Sequence, residues 1–299
     1  MPDLRAFTFA SFSRPEIVHA AFTRHGGSSP APWASLNFGT TTGDTSERTR
    51  ANRQLAFASV GRDPQSMADL WQVHSERVFV VERPQRGLTP DLQGDALLTD
   101  RPEVTLFMRF ADCVPIFLYD PRRAVVGLAH AGWRGTALKI AAAAVRAMTR
   151  HYGCNPAELL AGIGPSIGPD HYEVGPDVVE QIKAAFPAHW QSLFVGNGRH
   201  LDLWAANRAA LTTRLNAAES DLARLQAENT RLTQAATRPA PTPVASANET
   251  ALKAQIEDLT RGKAEAQRSV EELARLLEAA RAAPAPATAA TVGATPATD

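Results

Sequence analysis

Three side chains with nitrogen or sulfur donor atoms lie beside short apolar segments: His74 in WQVHSERV, Cys113 in FADCVPIFL and His130 in GLAHAGWRGT. Imidazole and thiolate together favour zinc or copper over magnesium or calcium. Three protein ligands leave the fourth position of a tetrahedral zinc ion open for water or substrate, which is the stoichiometry of a catalytic site. The separations match no local metal-binding signature, and taken singly each residue is more often structural. The prediction of a metal site therefore rests on the residue types and not on their spacing.

A glycine-containing turn follows His130 directly. Residues 132–136 (GWRGT) lead into an alanine-rich segment, so N–H groups at a helix start would lie near the metal and would suit a phosphate or another oxyanion. The alternative is an ordinary strand-to-helix turn. Four arginines are further candidates for contacting an anion, and the sequence alone does not choose among Arg24, Arg53, Arg109 and Arg134.

The same donor residues also fit a second chemistry. Cys113 would act as the nucleophile of a metal-free thiol hydrolase, with His130 or His74 as its base. Metal analysis of the purified protein separates this alternative from the zinc site.

Short apolar runs separated by turn residues predict strands through the first two thirds of the chain. Two other segments predict helices: 136–149 is alanine-rich, and 176–186 begins with a proline at a favoured helical position. Interleaved strands and helices predict a layered α/β or α+β domain. The runs predicted as strands, which are too short for helices, span 17–22, 78–81, 104–110, 114–119, 124–129 and 159–163.

The last third of the chain has a different composition. All aromatic and histidine residues lie before residue 205, so the part from 216 onward lacks the residues of an ordinary mixed core. Apolar residues alternate at separations of four and three from Leu211 to Leu232 and again from Leu252 to Leu277, which predicts coiled-coil helices. The predicted organisation is a globular domain over 1–215, coiled-coil helices over 216–283 with a Pro-rich break near 237–248, and a disordered tail over 284–299.

The charge balance argues against two classes of partner. The chain has 31 Lys and Arg against 31 Asp and Glu, so no overall charge attracts nucleic acid or an anionic membrane, and neither partner is predicted. The two cysteines are too few for a disulfide framework, and the sequence has no signal-peptide core and no apolar run of about 18 residues. These features predict a cytoplasmic protein. The coiled-coil pattern of the tail separately predicts that the protein forms homo-oligomers.

Ten short segments, taken in order, resemble one family. They extend over about residues 17–215 and are FTRHGGSS, SLNFG, GD, NRQL, QVHS, GDALLT, ADCVPI, AHAGWRG, GIGPSIGPDHYEVG and DLWAANRAAL. One such segment would be a weak signal, whereas ten in this order are specific. On these segments the chain resembles the laccase-domain, or multicopper polyphenol oxidase, family, whose characterised members act as purine nucleoside phosphorylases.

The resemblance implies an α+β fold with mixed β-sheets flanked by helices and a mononuclear zinc site. Carried over by motif, its metal ligands are His74, Cys113 and His130, the trio that donor chemistry also selects. Arg53 in NRQL is similar to the family's candidate phosphate-binding arginine. The implied activities are phosphorolysis of the purine nucleosides adenosine, inosine, guanosine and methylthioadenosine, and deamination of adenosine. Copper is the alternative metal, although one three-ligand site lacks the several coppers of a multicopper oxidase.

Two features depart from the family pattern. Ser166 stands where the family usually has Cys in its GPCIGP loop, and a hydroxyl is a poor ligand for soft metals, so we assign it no metal role. After DLWAANRAAL, the coiled-coil pattern replaces the family's tyrosine- and arginine-containing segment, which predicts a domain that is incomplete at its C-terminus. A catalytically degenerate domain serving as an oligomeric scaffold is therefore the alternative to an active enzyme.

Overall fold

The structure is a computed structural model that describes residues 4–85 and 92–212, together with four helical positions at 254, 257, 258 and 261. The chain divides into two units, Met1–Thr230 and Arg231–Asp299. The strands are β1 (Ala6–Phe7), β2 (Ala21–Phe22), β3 (Met67–Ala68), β4 (Val78–Val80), β5 (Ala96–Thr99), β6 (Thr105–Leu106), β7 (Val114–Asp120), β8 (Val125–Ala131), β9 (Leu160–Ile163), β10 (Phe194–Val195) and β11 (His200–Leu201). The helices are α1 (Ser46–Ser59), α2 (Trp133–Ala137), α3 (Ile140–Tyr152), α4 (Pro176–Ala185) and α5 (203–212).

A five-stranded sheet with the order β4-β5-β8-β7-β9 forms the centre of the first unit. β4 and β5 are parallel and the other three pairs are antiparallel, so the predicted mixed sheet is confirmed. β7 and β8 are almost wholly buried, and their register pairs Val114 with Ala131 and Asp120 with Val125. This antiparallel hairpin brings the start of β7 beside the end of β8.

The two faces of the sheet pack against different partners. On one face, Ile116 and Ala129 belong to a buried cluster with Ala144 and Met148 of α3. On the other, Leu97 and Leu128 belong to a cluster with residues of the segments around β3 and β6. Helices thus cover one face of the sheet, as expected for the predicted α+β class.

The helix predicted over 136–149 is wrong as a single element, because the structure divides it into α2 and α3. Lys139 between them has φ 64°, in the left-handed region that a continuous right-handed helix excludes. Lysine is a good helix former, so composition gave no sign of the break.

The helix predicted over 176–186 is confirmed as α4, with Pro176 at its start. Within the described part of the chain, no helix is long and apolar enough to cross a membrane.

Helix α1 was not predicted, because its buried face is largely polar. Thr45 caps the helix by accepting a hydrogen bond from the backbone N–H of Arg48. A helix without an apolar stripe gives no amphipathic signal in the sequence. The buried positions have helical spacing, and the first three of them are polar: Thr49, Asn52, Arg53, Ala56 and Phe57.

The strand predictions are confirmed where the apolar runs enter the central sheet. The runs at 78–81, 114–119, 124–129 and 159–163 correspond to β4, β7, β8 and β9. The runs at 17–22 and 104–110 are mostly irregular and contain only the two-residue strands β2 and β6. β5 was missed, because all four of its residues are buried and such a short strand shows no alternation.

The predicted coiled coil and disordered tail lie outside the described residues, apart from the four helical positions, and stay predictions. We expect deletion of residues 216–299 to change the oligomeric state without changing the metal content, because His74, Cys113 and His130 all lie far upstream. Light scattering and zinc analysis of the 1–215 fragment check this. An aggregated, metal-free fragment would contradict the predicted boundary.

Candidate metal centre

The β7–β8 hairpin and one preceding segment bring together the three predicted metal ligands. Cys113 directly precedes β7, and His130 lies near the end of β8, opposite Pro115 in the hairpin register. His74 lies between β3 and β4 in a left-handed backbone conformation, with φ 57°. Residues far apart in sequence therefore meet at one end of the central sheet.

The donor atoms of these side chains form a compact cluster. Among the described residues, His74, Cys113 and His130 are the one group of three His, Cys, Asp or Glu residues whose donor atoms all lie within 4.8 Å of one another. The Cys113 Sγ atom is 3.9 Å from Nε2 of His74. Zinc bond lengths of about 2.0–2.3 Å in a tetrahedron separate ligand atoms by roughly 3.6 Å. The cluster thus has donor types and spacing that can bind a metal ion.

The lack of a side chain at Gly132 makes room for the donor atoms of the cluster. A Cβ atom at this position would lie 2.7 Å from Cys113 Sγ and 3.1 Å from Cδ2 of His74. Both distances are too short for ordinary carbon contacts, so any larger residue would displace the donor side chains. The glycine of the GWRGT turn is needed here for close packing against the cluster.

The surroundings of Cys113 disfavour a free thiolate. Burial raises the pKa of its thiol to about 11, and the negative charges of Asp112 and Asp95 add to the rise. The pKa of His74 is lowered, first by partial removal of its ring from water and then by the neighbouring His130. A neutral imidazole is ready to coordinate a cation, whereas the thiol must lose its proton when a cation binds.

Asp95 lies behind the cluster and is fully buried. Its Oδ1 is 2.8 Å from Nδ1 of His130. Its Oδ2 accepts hydrogen bonds from the backbone N–H and hydroxyl of Ser75 and from the backbone N–H of Val73. Burial raises the pKa of Asp95, but the hydrogen bonds from His130 and Ser75 outweigh it and the net shift is downward. No motif in the sequence marked Asp95 as a partner of a candidate ligand, so this contact was missed.

A cavity of about 1390 Å³ opens onto the cluster. His74 and His130 both line it, together with the aromatic residues Trp71 and Phe110 and the cation Arg109. Trp71 is 40% exposed. The cavity therefore combines metal donors, aromatic surface and positive charge. Ser166 also lines it and is not part of the donor cluster.

Arg53 lies in a charge cluster with Asp69 and Arg109. Arg53 is 3% exposed, and its Nη2 donates a hydrogen bond to the carbonyl oxygen of Phe38 at 2.9 Å. Its Nε and Nη1 have no hydrogen-bond partner. Arg109 donates to Asp69 Oδ1 at 3.2 Å and, unlike Arg53, lines the cavity. Burial lowers the pKa of Arg53 and raises that of Asp69.

The other two candidate arginines lie in different surroundings. Arg24 lines the cavity and donates from Nε to the carbonyl oxygen of Ala34 at 2.8 Å. Arg134 is exposed and stacks over Trp133, with its Cζ 5.2 Å from the ring centroid. Arg134 belongs to α2, which has five residues. A helix of one turn has little macrodipole, so the start of α2 would bind an oxyanion only weakly.

Sequence comparison decides the family. The pattern of the family described as multi-copper polyphenol oxidoreductase laccase matches residues 18–223. The chain belongs to this family. A Deinococcus radiodurans member named purine nucleoside phosphorylase is 39% identical over 212 residues, which cover 71% of this chain and 78% of the relative. A member from an unknown prokaryotic organism, named adenosine deaminase RL5, is 38% identical over 189 residues, 60% of this chain and 71% of the relative.

Solved structures of the laccase family share the fold. The crystal structure of the Bacillus licheniformis protein YfiH is 36% identical to this laccase-family chain, with a TM-score of 0.62. The match covers 65% of this chain and 76% of YfiH. The family resemblance inferred from the ten sequence segments is therefore confirmed.

Proposed function

We propose that this laccase-family protein is a zinc-dependent purine nucleoside phosphorylase that also deaminates adenosine. The observation that carries the proposal is the cluster of His74, Cys113 and His130 beside a cavity large enough for a nucleoside. The names of the Deinococcus relative and of RL5 support the two reactions. The substrates proposed are adenosine, inosine, guanosine and methylthioadenosine, with phosphate as the nucleophile in phosphorolysis. A cytoplasmic location, and oligomerisation through the tail, are proposed on the sequence alone.

The residues around the cavity have distinct proposed tasks. His74, Cys113 and His130 would hold zinc, or copper as the alternative, and a bound zinc ion would supply Lewis acidity for the chemical step. Trp71 and Phe110 offer aromatic faces on which a purine can stack. Because the cavity is lined by both aromatic and cationic side chains, it can take an apolar base and an anionic co-substrate together.

The alternative of a metal-free thiol hydrolase is less well supported by the surroundings of Cys113. A nucleophilic cysteine needs a lowered thiol pKa, supplied by a neighbouring cation or a helix start. Burial and two carboxylates instead raise the pKa of Cys113 to about 11. Thiolate formation at neutral pH is thus expected only when a cation is bound to the cluster.

Metal analysis combined with an assay of inosine cleavage tests the proposed function. We expect near-stoichiometric zinc in the purified full-length protein and release of hypoxanthine that requires phosphate. Release in the absence of phosphate would indicate hydrolysis and contradict phosphorolysis. A zinc-loaded protein that cleaves no purine nucleoside would favour the degenerate scaffold, and an active protein without metal would favour the thiol hydrolase.

Arg53→Ala is expected to keep its zinc and to weaken phosphate use. Arg53 is proposed to bind the anion on the family resemblance, and its two buried atoms Nε and Nη1, which lack a hydrogen-bond partner, support this. Losing a hydrogen bond to a charged group costs about 1.5–3 kcal/mol, so the KM for phosphate should rise by about 10- to 100-fold. Steady-state kinetics at varied phosphate, with zinc content and melting temperature measured in parallel, check this.

Two further variants control for charge and for the helix. Arg53→Lys keeps the positive charge beside Asp69 and should lose less phosphate affinity than the alanine variant. Arg48→Ala alters an exposed arginine on the same helix and should leave the kinetics unchanged. An unchanged KM for phosphate in Arg53→Ala would remove Arg53 from the phosphate site.

A further inference from the structure

One buried carboxylate contacts both histidine segments of the metal cluster. Asp95 follows Gly94 and directly precedes β5, which pairs with β8, the strand that carries His130. The backbone N–H of His130 donates to the carbonyl oxygen of Asp95 at 2.8 Å. Side chain and main chain of Asp95 are therefore both fixed relative to His130.

The first oxygen of this carboxylate determines the protonation pattern of the His130 ring. Because a carboxylate only accepts hydrogen bonds, its 2.8 Å contact requires a proton on Nδ1 of His130. In a neutral ring the proton on Nδ1 leaves Nε2 with a free lone pair. Nε2 is then the atom of His130 available to a metal ion.

The second oxygen holds the turn that carries His74. Its hydrogen bonds come from the backbone N–H groups of Val73 and Ser75, the residues on either side of His74, and from the Ser75 hydroxyl. His74 itself has φ 57°, a left-handed conformation that is strained for a residue other than glycine and persists only when its surroundings enforce it. The two flanking hydrogen bonds provide that enforcement.

We propose that Asp95 is the positioning residue of the metal centre: it selects the Nδ1–H tautomer of His130 and fixes the backbone turn of His74, so that two ligands are arranged before the metal binds. This inference rests on the proposed function in so far as the cluster is taken to bind zinc. Its tautomer component concerns the metal-free protein and stands independently of zinc binding.

The Asp95→Asn variant tests the proposal, because an amide has one accepting oxygen where the carboxylate has two. If that oxygen keeps the donors of Val73 and Ser75, the amide NH2 group faces His130 Nδ1 and forces the proton onto Nε2, the metal-binding atom. We expect nitrogen NMR of the metal-free variant at about pH 8 to show the Nε2–H tautomer, where the wild type shows Nδ1–H. We also expect zinc to bind about 10- to 100-fold more weakly in a competition titration with a chelator.

Asp44→Asn is the matched control, since Asp44 is a buried carboxylate that accepts from Ser29 and Asn37 away from the cluster. Its zinc affinity and His130 tautomer should match the wild type. An Nε2–H tautomer in the wild-type protein would overturn the proposal, and this measurement needs no variant to fold. Unchanged zinc affinity with a retained Nδ1–H tautomer in a folded Asp95→Asn protein would also overturn it.

The outcomes separate the two hypotheses. A wild-type protein that fails to bind zinc, yet shows the Nδ1–H tautomer that is lost in Asp95→Asn, would contradict the proposed zinc enzyme while supporting the positioning role. Zinc-dependent phosphorolysis that is unaffected by Asp95→Asn would support the enzyme and contradict the positioning role.

Discussion

Replacing Cys113 with serine should remove most of the metal from the purified protein and leave its fold intact. Serine is close to cysteine in size, so the start of β7 keeps its packing, but a neutral hydroxyl is a much poorer zinc ligand than a thiolate. Loss of a residue that hydrogen-bonds to a metal ligand weakens metal binding by about 10- to 100-fold, and loss of a ligand itself should weaken metal binding more than that. Elemental analysis and a chelator competition titration measure the effect, and phosphorolysis of inosine should fall with the metal content.

Cys154→Ser provides the matched control for this experiment. Cys154 is buried at 1% exposure in the main core cluster and does not belong to the metal cluster. The same chemical change there should leave the zinc content at the wild-type level, even if the melting temperature drops. Stoichiometric zinc in folded Cys113→Ser would refute the ligand assignment.

Replacing Gly132 with alanine should weaken metal binding by steric displacement alone. Gly132 has φ −74° and ψ 178°, which alanine adopts without backbone strain. The added methyl group would lie 2.7 Å from Cys113 Sγ, so the sulfur must move by roughly 1 Å, about twice the tolerance of a preorganised site. We expect zinc affinity to fall by about 10-fold or more, as measured by chelator competition.

Gly39→Ala controls for the general effect of adding a methyl group near the cavity. A Cβ atom at Gly39 would meet its nearest neighbour at 3.5 Å, which is ordinary contact. This variant should bind zinc like the wild type. Wild-type zinc affinity in Gly132→Ala would show that Cys113 relaxes freely or that it does not bind the metal.

Several elements of the fold followed from local sequence. The β7 and β8 runs have the composition of buried strands, and Pro176 marks the start of α4. The break at Lys139 and the helix α1 did not follow. Local propensity favours helix at Lys139. The polar inner face of α1 is stabilised by hydrogen bonds to distant segments, such as the one that Asn52 donates to the carbonyl oxygen of Asn37 at 2.8 Å.

The sequence by itself determined the family and, through the ordered motifs and their donor atoms, selected His74, Cys113 and His130 as the candidate metal ligands. Only the tertiary structure decided that Asp95 contacts His130, that Gly132 lies against Cys113, and that Arg109 lines the cavity while Arg53 is buried. The physical reason is the range of the interactions. Residue type fixes which atoms can bind a metal, whereas hydrogen bonds and close packing between distant segments depend on strand register and pairing.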